Sequence, residues 1–470
     1  MATTEVSAWV EGLQGLTLSS EAKILSDASQ PEFQELLARW TDVDKKQPGA
    51  VVLPATEDDA VKIVKWALEN SVSFVPRAGG HSAWSTIGSD GFILDFSLMR
   101  SVEVDVDQEL ATASAGTLIG DIAKAVAEKG YCVATGTVNS VGFIPSTIGG
   151  GLTVLAPLVG YGSDNIVSAR IITAAGDVIT VSEKENAELL YAVKGAGQFF
   201  GVILSLTVKM HPLSILGSSE GIVWCGTFLF PTAKATEVGN AALQLKKNST
   251  RSYCLVGVMG VPPTFDPMIM AIVVYLGSKA DGEKEFKGLL DVGPVFVAAD
   301  SEVPFGSMND TYAAFEAKGG LKNWLAPGLT SMDQFKGEDM TYFVEQHAKI
   351  AEEFPLAKPT GFVIEFTSHG VFDKVTAERE TAFSHRDVEL YAHFLCWASE
   401  ASALEGAVKL AEETMAYVRR DQPKEAYSFY QNFSRTAPIE ERYKGAERLA
   451  KLRSLKKKWD PKGVFTKQLL

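Results

Sequence analysis

The sequence predicts an α+β protein built from two dissimilar parts, and two patterns along the chain carry that prediction. In residues 1–212, short apolar runs typical of strands alternate with predicted helices and glycine-rich turns. In residues 213–420, longer alternating apolar runs indicate a large antiparallel sheet with helices on one face. These runs are 222–230, 269–276, 361–367 and 390–397, and a helix is predicted at 403–419. We expect residues 421–470 to return to the first part.

The most informative element is the glycine turn at residues 76–82, with the sequence PRAGGHS. A capping residue at Thr56, followed by apolar residues at helical spacing, predicts a helix before it. Strands are predicted on both sides, at 72–76 and 92–96. Paired glycines bring backbone N–H groups close to a ligand, and successive N–H groups form a nest for phosphate. Arg77 adds a forked cation and His81 a nucleophilic imidazole. The plain alternative is an ordinary turn with a surface histidine.

Further glycine-rich or aromatic segments follow in a fixed order. They are SAGT at 114–117, ATGT at 134–137, TIGGG at 147–151, GAGQFFGVI at 195–203, YQNF at 430–433 and KWDPKGVF at 458–465. This series resembles the FAD-binding domain of the vanillyl-alcohol oxidase superfamily (PCMH type), and more narrowly a berberine-bridge-enzyme-like FAD-linked oxidase. The match covers roughly residues 48–212 and 425–470. It implies a two-part PCMH-type FAD-binding domain at 1–212, a substrate-binding domain at 213–420, and a C-terminal segment at 421–470.

The resemblance also implies how FAD is held. The histidine of this turn carries the flavin covalently through its 8α-methyl carbon in the family, and that role falls on His81. The other implied FAD contacts are Arg77, Ala78, Gly79, Gly80, Ser82, Gly136, Thr137, Val141, Gly142, Thr147, Gly150, Gly151, Val202 and Asn432.

One departure from the family pattern concerns a second covalent link. Many members attach flavin also to a cysteine eleven positions before the glycine triplet, and this chain has Val138 there. The four cysteines lie elsewhere, at 132, 225, 254 and 396. We therefore expect a single link through His81 and no cysteinyl link.

The sequence leaves the catalytic base open among four residues, and a substrate that is acidic enough would need no base. Tyr430 has positional support from the family's Tyr-x-Asn-aromatic segment, in which some relatives use the second aromatic residue, here the non-ionisable Phe433. Strand alternation places Tyr391 and His393 on one face of 390–397, and His393 could take a proton near neutral pH. Glu365 lies in an apolar run, so it is either on a solvated face or a functional acid. Trp324, Trp397 and His369 are candidate pocket walls.

The implied reaction is an oxidase reaction on a small organic molecule. Hydride would pass from an alcohol, an amine or a secondary-metabolite intermediate, with or without ring closure, to flavin N5, and O2 would then be reduced to hydrogen peroxide. The alternative is a redox-neutral cyclase or isomerase that contains FAD. A nicotinamide dehydrogenase is rejected, because Gly195-x-Gly197 is followed by Gly201, one residue too late for the dinucleotide fingerprint.

Composition bounds the partners. The net charge of −14 argues against nucleic acid. No segment is apolar enough to cross a bilayer, and the first residues carry Glu5 and Glu11 and lack the pattern of a signal peptide. We therefore expect a cytoplasmic protein with no membrane partner and no metal, whose partners are a small-molecule substrate and O2. The oligomeric state stays open.

Overall fold

The computed structural model describes residues 8–218, 220–248, 251–367, 381–433 and 436–465. In its N-terminal part the strands are β1 (Lys23–Leu25), β2 (Ala50–Leu53), β3 (Ser73–Arg77), β4 (Gly91–Asp95), β5 (Val102–Asp105), β6 (Leu110–Ser114), β7 (Tyr131–Cys132), β8 (Ile166–Ile172), β9 (Val178–Ser182), β10 (Val202–Lys209) and β11 (His211–Pro212). The α-helices of this part are Ala8–Gln14, Pro31–Leu36, Glu57–Glu69, Ile119–Ala127, Phe143–Ile148, Ala156–Val159 and Ala187–Ala196.

The first sheet delivers the glycine turn. Its order is β1-β2-β4-β3, and β4 pairs in parallel with both β2 and β3. Helix Glu57–Glu69 lies against it and confirms the helix predicted after Thr56. The Thr56 side chain accepts the Asp59 N–H at 3.1 Å, and the Asp59 carboxylate accepts the Thr56 N–H at 3.0 Å. This capping box fixes where the helix begins, and β3 then runs directly into residues 78–82.

The second sheet is antiparallel, with the order β5-β6-β10-β8-β9. Its core includes buried residues of helices Ile119–Ala127 and Ala187–Ala196. The C-terminal helix Ala446–Trp459 also joins this core, through Leu449, Leu452 and Leu455. This helix is thus packed on the N-terminal part.

Strands β7 and β11 pair only with each other. The other strands form one large antiparallel sheet, nine-stranded in the part of the chain that the structure describes. They are β12 (Ile222–Phe230), β13 (Ser252–Val261), β14 (Asp266–Tyr275), β15 (Phe296–Pro304), β16 (Leu321–Leu325), β17 (Pro327–Leu329), β18 (Gly361–Thr367), β19 (Leu390–Ala398) and β20 (Ser428–Phe429). The order is β15-β12-β14-β13-β18-β19-β17-β20, and β16 also pairs with β19. The other α-helices are Ala235–Asn248, Lys279–Glu285, Lys287–Leu290, Asp339–Glu353, Ala401–Val418, Ile439–Arg442 and Ala446–Trp459.

The two faces of this sheet have different roles. Phe362, Ile364 and Phe366 of β18 point into the core made with residues of helices Ala235–Asn248, Asp339–Glu353 and Ala401–Val418. Alternation therefore turns Val363 and Glu365 to the opposite face. The predicted α+β class, with a large antiparallel sheet that carries helices on one face, is confirmed.

The boundary predicted near residue 420 differs from the observed path. Strand β20 still belongs to the large sheet and pairs with β17, so the chain returns to the N-terminal part only after residue 429. A segment of the large-sheet part also contacts the N-terminal part. The Ala382 and Phe383 N–H groups donate to the carbonyls of Tyr191 and Lys194 at 3.1 and 3.0 Å. The two parts are therefore interleaved along the chain.

Candidate functional site

Two glycine-rich loops meet through their backbones at residue 79. A Cβ built on Gly79 would lie 2.1 Å from the Ser140 carbonyl oxygen and 2.8 Å from the Gly142 nitrogen. On the other side, a Cβ on Gly142 would lie 2.8 Å from the Ala78 Cβ. Gly80 has a φ of +73°, which an L side chain rarely adopts. Glycine is required at residues 79 and 142 because the His81 turn and the 136–142 loop touch, and at residue 80 because of its positive φ.

The His81 turn presents a run of unused hydrogen-bond donors. The backbone N–H groups of Gly79, Gly80, His81 and Ser82 donate to none of the residues that the structure describes. Successive free N–H groups in a turn with one positive φ form a concave anion site. A diphosphate meets this demand, so the turn fits the pyrophosphate-bearing part of FAD.

Arg77 has a different role from the one expected of it. Its Nε lies 3.3 Å from Asp95 Oδ2, and its Nη2 donates to the Ala38 carbonyl oxygen at 2.8 Å. The side chain is buried, and a Cβ added to Gly80 would lie just over 3 Å from its guanidinium nitrogens. The expectation of a free cation directed at a phosphate is therefore corrected: Arg77 is paired inside the protein and supports the turn.

His81 itself is held by one ring nitrogen. Its Nε2 lies 2.9 Å from Ser140 Oγ, and its Nδ1 has no hydrogen-bond partner in the described ranges. Burial, together with the charges of Lys318 and Lys322, lowers the His81 pKa to about 4. The imidazole is therefore neutral near pH 7, which is the form with a nucleophilic nitrogen.

A second glycine loop is closed by Tyr430. Gly150 and Gly151 have φ values of +133° and +72°. The Tyr430 hydroxyl oxygen accepts the Gly151 N–H at 3.0 Å, the Leu152 N–H at 3.4 Å and the Asn432 Nδ2 at 3.0 Å. Burial raises the pKa of Tyr430 to about 12, although these three donors act in the opposite direction. Asn432 thus helps to fix the orientation of the Tyr430 hydroxyl.

Glu365 and His393 form a buried pair on the sheet face opposite the helices. Strands β18 and β19 are neighbours, and His393 Nε2 lies 2.7 Å from Glu365 Oε2. Trp324 Nε1 donates to His393 Nδ1 at 3.1 Å, so the ring proton belongs on Nε2, which donates to Glu365. Glu365 is only 8% exposed, which excludes the solvated-face interpretation. Both nitrogens of His393 are occupied, so it is not a free base.

Tyr391 completes this cluster. Its ring centroid lies 5.9 Å from that of Tyr430 and 6.1 Å from that of His393. Its hydroxyl is buried and has no hydrogen-bond partner among the described residues. Burial raises its pKa well above the ordinary value, and the neighbouring Tyr161 and Tyr430 add to this. The hydroxyl is therefore a neutral group available to a ligand.

The candidate pocket walls fall in different places. Trp324 stacks on Phe433 with centroids 4.1 Å apart and lies beside His393, so it belongs to the cluster. The Trp397 ring lies 4.3 Å from Lys322 Nζ. His369 lies outside the described residues.

Several predicted cofactor contacts have their side chains committed elsewhere. The Thr147 hydroxyl donates to the Phe143 carbonyl oxygen of its own helix at 2.8 Å. Val202 is buried in the core between the small sheets, which leaves only its backbone for a ligand. The Ser82 hydroxyl accepts the Trp84 N–H at 3.1 Å.

The facing loop is anchored through carbonyl groups. The Val141 oxygen accepts the Ile119 N–H at 2.9 Å, and the Gly136 oxygen accepts Asn309 Nδ2 at 3.3 Å. Thr137, between them, is half-buried. These contacts anchor the loop to helix Ile119–Ala127 and to Asn309 of the large-sheet part.

Sequence reasoning missed two residues that the structure brings to the site. Ser140 lies between the predicted contacts Thr137 and Val141, and that position was the only available signal. Arg386 donates to Asp164 Oδ2 at 3.2 Å and to Thr381 Oγ1 at 2.8 Å, and this ties the large-sheet part to the loop before β8. No local pattern marks that ion pair.

Comparisons with known proteins agree with this geometry. Residues 48–182 match the FAD binding domain family. The FAD-linked oxidoreductase fogF of Aspergillus ruber is 31% identical over 480 aligned positions, which cover 96% of this chain and 93% of the relative. The 6-hydroxy-D-nicotine oxidase of Arthrobacter nicotinovorans superposes with a TM-score of 0.78 at 23% identity, covering 96% of this chain and 98% of that one.

A second solved structure is the glucooligosaccharide oxidase of Acremonium strictum, whose FAD is described as 6-S-cysteinyl, 8α-N1-histidyl. It superposes with a TM-score of 0.79 at 17% identity, covering 98% of this chain and 97% of that one. The chain belongs to the FAD-linked oxidoreductases with a PCMH-type, berberine-bridge-like fold. It is therefore an FAD-binding oxidoreductase. In the described ranges no helix is long and apolar enough to span a membrane.

Proposed function

We propose that this protein is an FAD-dependent oxidase of a small organic alcohol, amine or secondary-metabolite intermediate, including substrates whose oxidation is followed by ring closure. Bound FAD would supply hydride acceptance and the transfer of two electrons to O2, with hydrogen peroxide as the product. The observation that carries the proposal is the buried Glu365–His393 pair, 2.7 Å apart, on the sheet face shared with Tyr391. Oxidation of an alcohol or an amine releases the proton of its O–H or N–H group, and in a buried site a side chain must accept that proton.

Glu365 is the base that the geometry favours. His393 donates to one carboxylate oxygen and is fixed by Trp324, so the pair keeps a defined orientation. The carboxylate also raises the pKa of the Tyr253 hydroxyl, after burial itself. Glu365 would take the proton of the substrate hydroxyl or amine, and His393 and Trp324 would position it.

Tyr430 is the weaker candidate for the base. A phenol oxygen has two lone pairs, and here three N–H groups point at it. No acceptor capacity remains for a substrate proton. Tyr430 would instead fix the Gly151 loop, while the unpartnered Tyr391 hydroxyl would bind a polar group of the substrate.

We further propose a single covalent link to FAD, through His81. The free Nδ1 and the lowered pKa of His81 support it. A cysteinyl link lacks support, because Val138 occupies the family position and Cys132 is buried, which raises the pKa of its thiol to about 12.

The test is a paired measurement on the purified holoprotein. Candidate alcohols, amines and phenols are mixed with the enzyme without oxygen, and bleaching of the flavin absorbance is followed. In air, oxygen uptake and peroxide release are measured together. An oxidase gives bleaching and one peroxide per substrate consumed. Turnover without bleaching and without oxygen uptake would contradict the proposal and identify a redox-neutral cyclase or isomerase.

A further inference from the structure

The contact between His81 and Ser140 makes the two nitrogens of the histidine ring different, because only one of them has a hydrogen-bond partner. Nε2 lies 2.9 Å from Ser140 Oγ, which has no other hydrogen-bond partner in the described part of the chain, and Nδ1 has none. This contact exists because Gly79 lacks a side chain, since a Cβ there would lie 2.1 Å from the Ser140 carbonyl oxygen. The glycine at position 79 is thus what allows the Ser140 loop to approach His81.

A neutral imidazole carries a proton on one nitrogen and a lone pair on the other. When Nε2–H donates to Ser140 Oγ, the lone pair is on Nδ1. We propose that Ser140 is a positioning residue for covalent flavin attachment: its hydroxyl keeps the ring proton of His81 on Nε2, so that the lone pair that forms the bond stays on Nδ1. This inference rests on the proposed link through His81.

The chemistry of attachment gives the hydroxyl a second task. A bond forms between Nδ1 and the 8α carbon, one C–H bond of that methyl group breaks, and the imidazole loses its Nε2 proton. The two hydrogens, with their two electrons, pass to O2, which becomes hydrogen peroxide. Ser140 Oγ accepts a hydrogen bond from Nε2–H before attachment and can donate one to the bare Nε2 afterwards. A hydroxyl can do both, whereas a methyl group can do neither.

The surroundings of His81 keep the nitrogen lone pair available. The pKa of the ring is lowered by burial and by Lys318 and Lys322, so the ring is not protonated near pH 7. A protonated ring would have no lone pair on either nitrogen. The electrostatics and the hydrogen bond therefore act towards the same outcome.

The experiment measures attachment separately from turnover. Wild type, Ser140→Ala, Ser140→Thr and a matched control, Ser146→Ala, are incubated with FAD and sampled over time. Total bound flavin is read on the native protein, and covalent flavin is read as fluorescence of the protein band after denaturation. The Ser146 hydroxyl donates to the Phe143 carbonyl oxygen at 2.9 Å and does not contact His81.

We expect Ser140→Ala to bind FAD but to attach it on the order of tenfold more slowly, which is the scale of one lost hydrogen bond. Ser140→Thr and Ser146→Ala should attach it at nearly the wild-type rate. Attachment by Ser140→Ala at the wild-type rate would overturn the role of Ser140.

A second measurement does not depend on any variant folding. The flavin peptide of the wild type is isolated, and NMR determines which ring nitrogen carries the 8α carbon. Attachment at Nδ1 is expected, and attachment at Nε2 would overturn the inference. Absence of covalent flavin in the wild type would refute the His81 link itself, while the oxygen and peroxide assay would still test the oxidase function.

Discussion

Replacing Glu365 by Gln separates catalysis from folding at this site. Glutamine has the same shape, and its amide oxygen can still accept the His393 Nε2–H bond that now spans 2.7 Å. The amide cannot take a proton from the substrate. Loss of a positioned base costs about 10²- to 10⁴-fold in rate. Each factor of ten corresponds to about 1.4 kcal/mol, so the barrier should rise by about 3–5 kcal/mol.

Folding should change far less in this variant. The retained hydrogen bond keeps the buried imidazole satisfied, so the free energy of unfolding should fall by no more than about 1.5 kcal/mol. The assay is the anaerobic rate of flavin bleaching at saturating substrate, together with the melting temperature of the same preparation. The bleaching rate of Glu365→Gln should be far below that of the wild type, whereas its melting temperature should be nearly unchanged.

Tyr430→Phe is the matched comparison, with the opposite pattern. It removes the acceptor of the Gly151, Leu152 and Asn432 N–H groups, and each buried unsatisfied donor costs about 1–3 kcal/mol. This variant should lose stability and retain FAD poorly, with a smaller loss in the rate of the molecules that keep it. A full bleaching rate in Glu365→Gln, with a lost rate in a stable Tyr430→Phe, would refute the assignment of the base.

Three further predictions concern other features. Gly79→Ala should yield protein without bound FAD, because its Cβ would lie 2.1 Å from the Ser140 carbonyl oxygen. The control is Gly288→Ala, since the space around Gly288 is open. A Gly79→Ala protein that binds a full complement of FAD would contradict the proposed contact between the loops. Burial disfavours the charged form of Asp59, but bonds from Ser19, Thr56 and Ala55 outweigh it and lower its pKa from 3.8 to about 2. Its stabilisation is therefore present above pH about 4 and lost as the pH falls towards 2. At pH 7 the free energy of unfolding of Asp59→Asn, measured by urea titration, should be about 1–2 kcal/mol lower than that of the wild type, and it should not fall further in acid. The same dependence on acid in both proteins would contradict this role of Asp59. Tyr391→Phe should raise KM about tenfold with kcat kept, as expected for one lost hydrogen bond to the substrate; a fall in kcat alone would show a different role.

Local features of the site could be predicted from the sequence. The helix after Thr56 and the turn at His81 depend on residues within a few positions of each other, so capping and glycine patterns identify them. Alternation also placed Glu365 and His393 correctly on their strands. Each of these predictions needs only the geometry of one element.

Pairings between distant segments could not be predicted. Arg77 looked like a free cation because its partner Asp95 belongs to the neighbouring strand β4. Whether the Glu365 face is solvated depends on the packing of the N-terminal part over the sheet, which the strand pattern does not contain. The Trp324 bond to His393 joins residues 69 positions apart, and it decides which ring nitrogen carries the proton.

The most direct test is the intact mass of the denatured protein, measured for the wild type and for His81→Ala. The wild type should retain the added mass of one FAD after unfolding, mapped to the peptide that contains His81. The His81→Ala protein should release its flavin on acid precipitation. An unmodified wild type, or flavin mapped to any cysteine, would contradict the account.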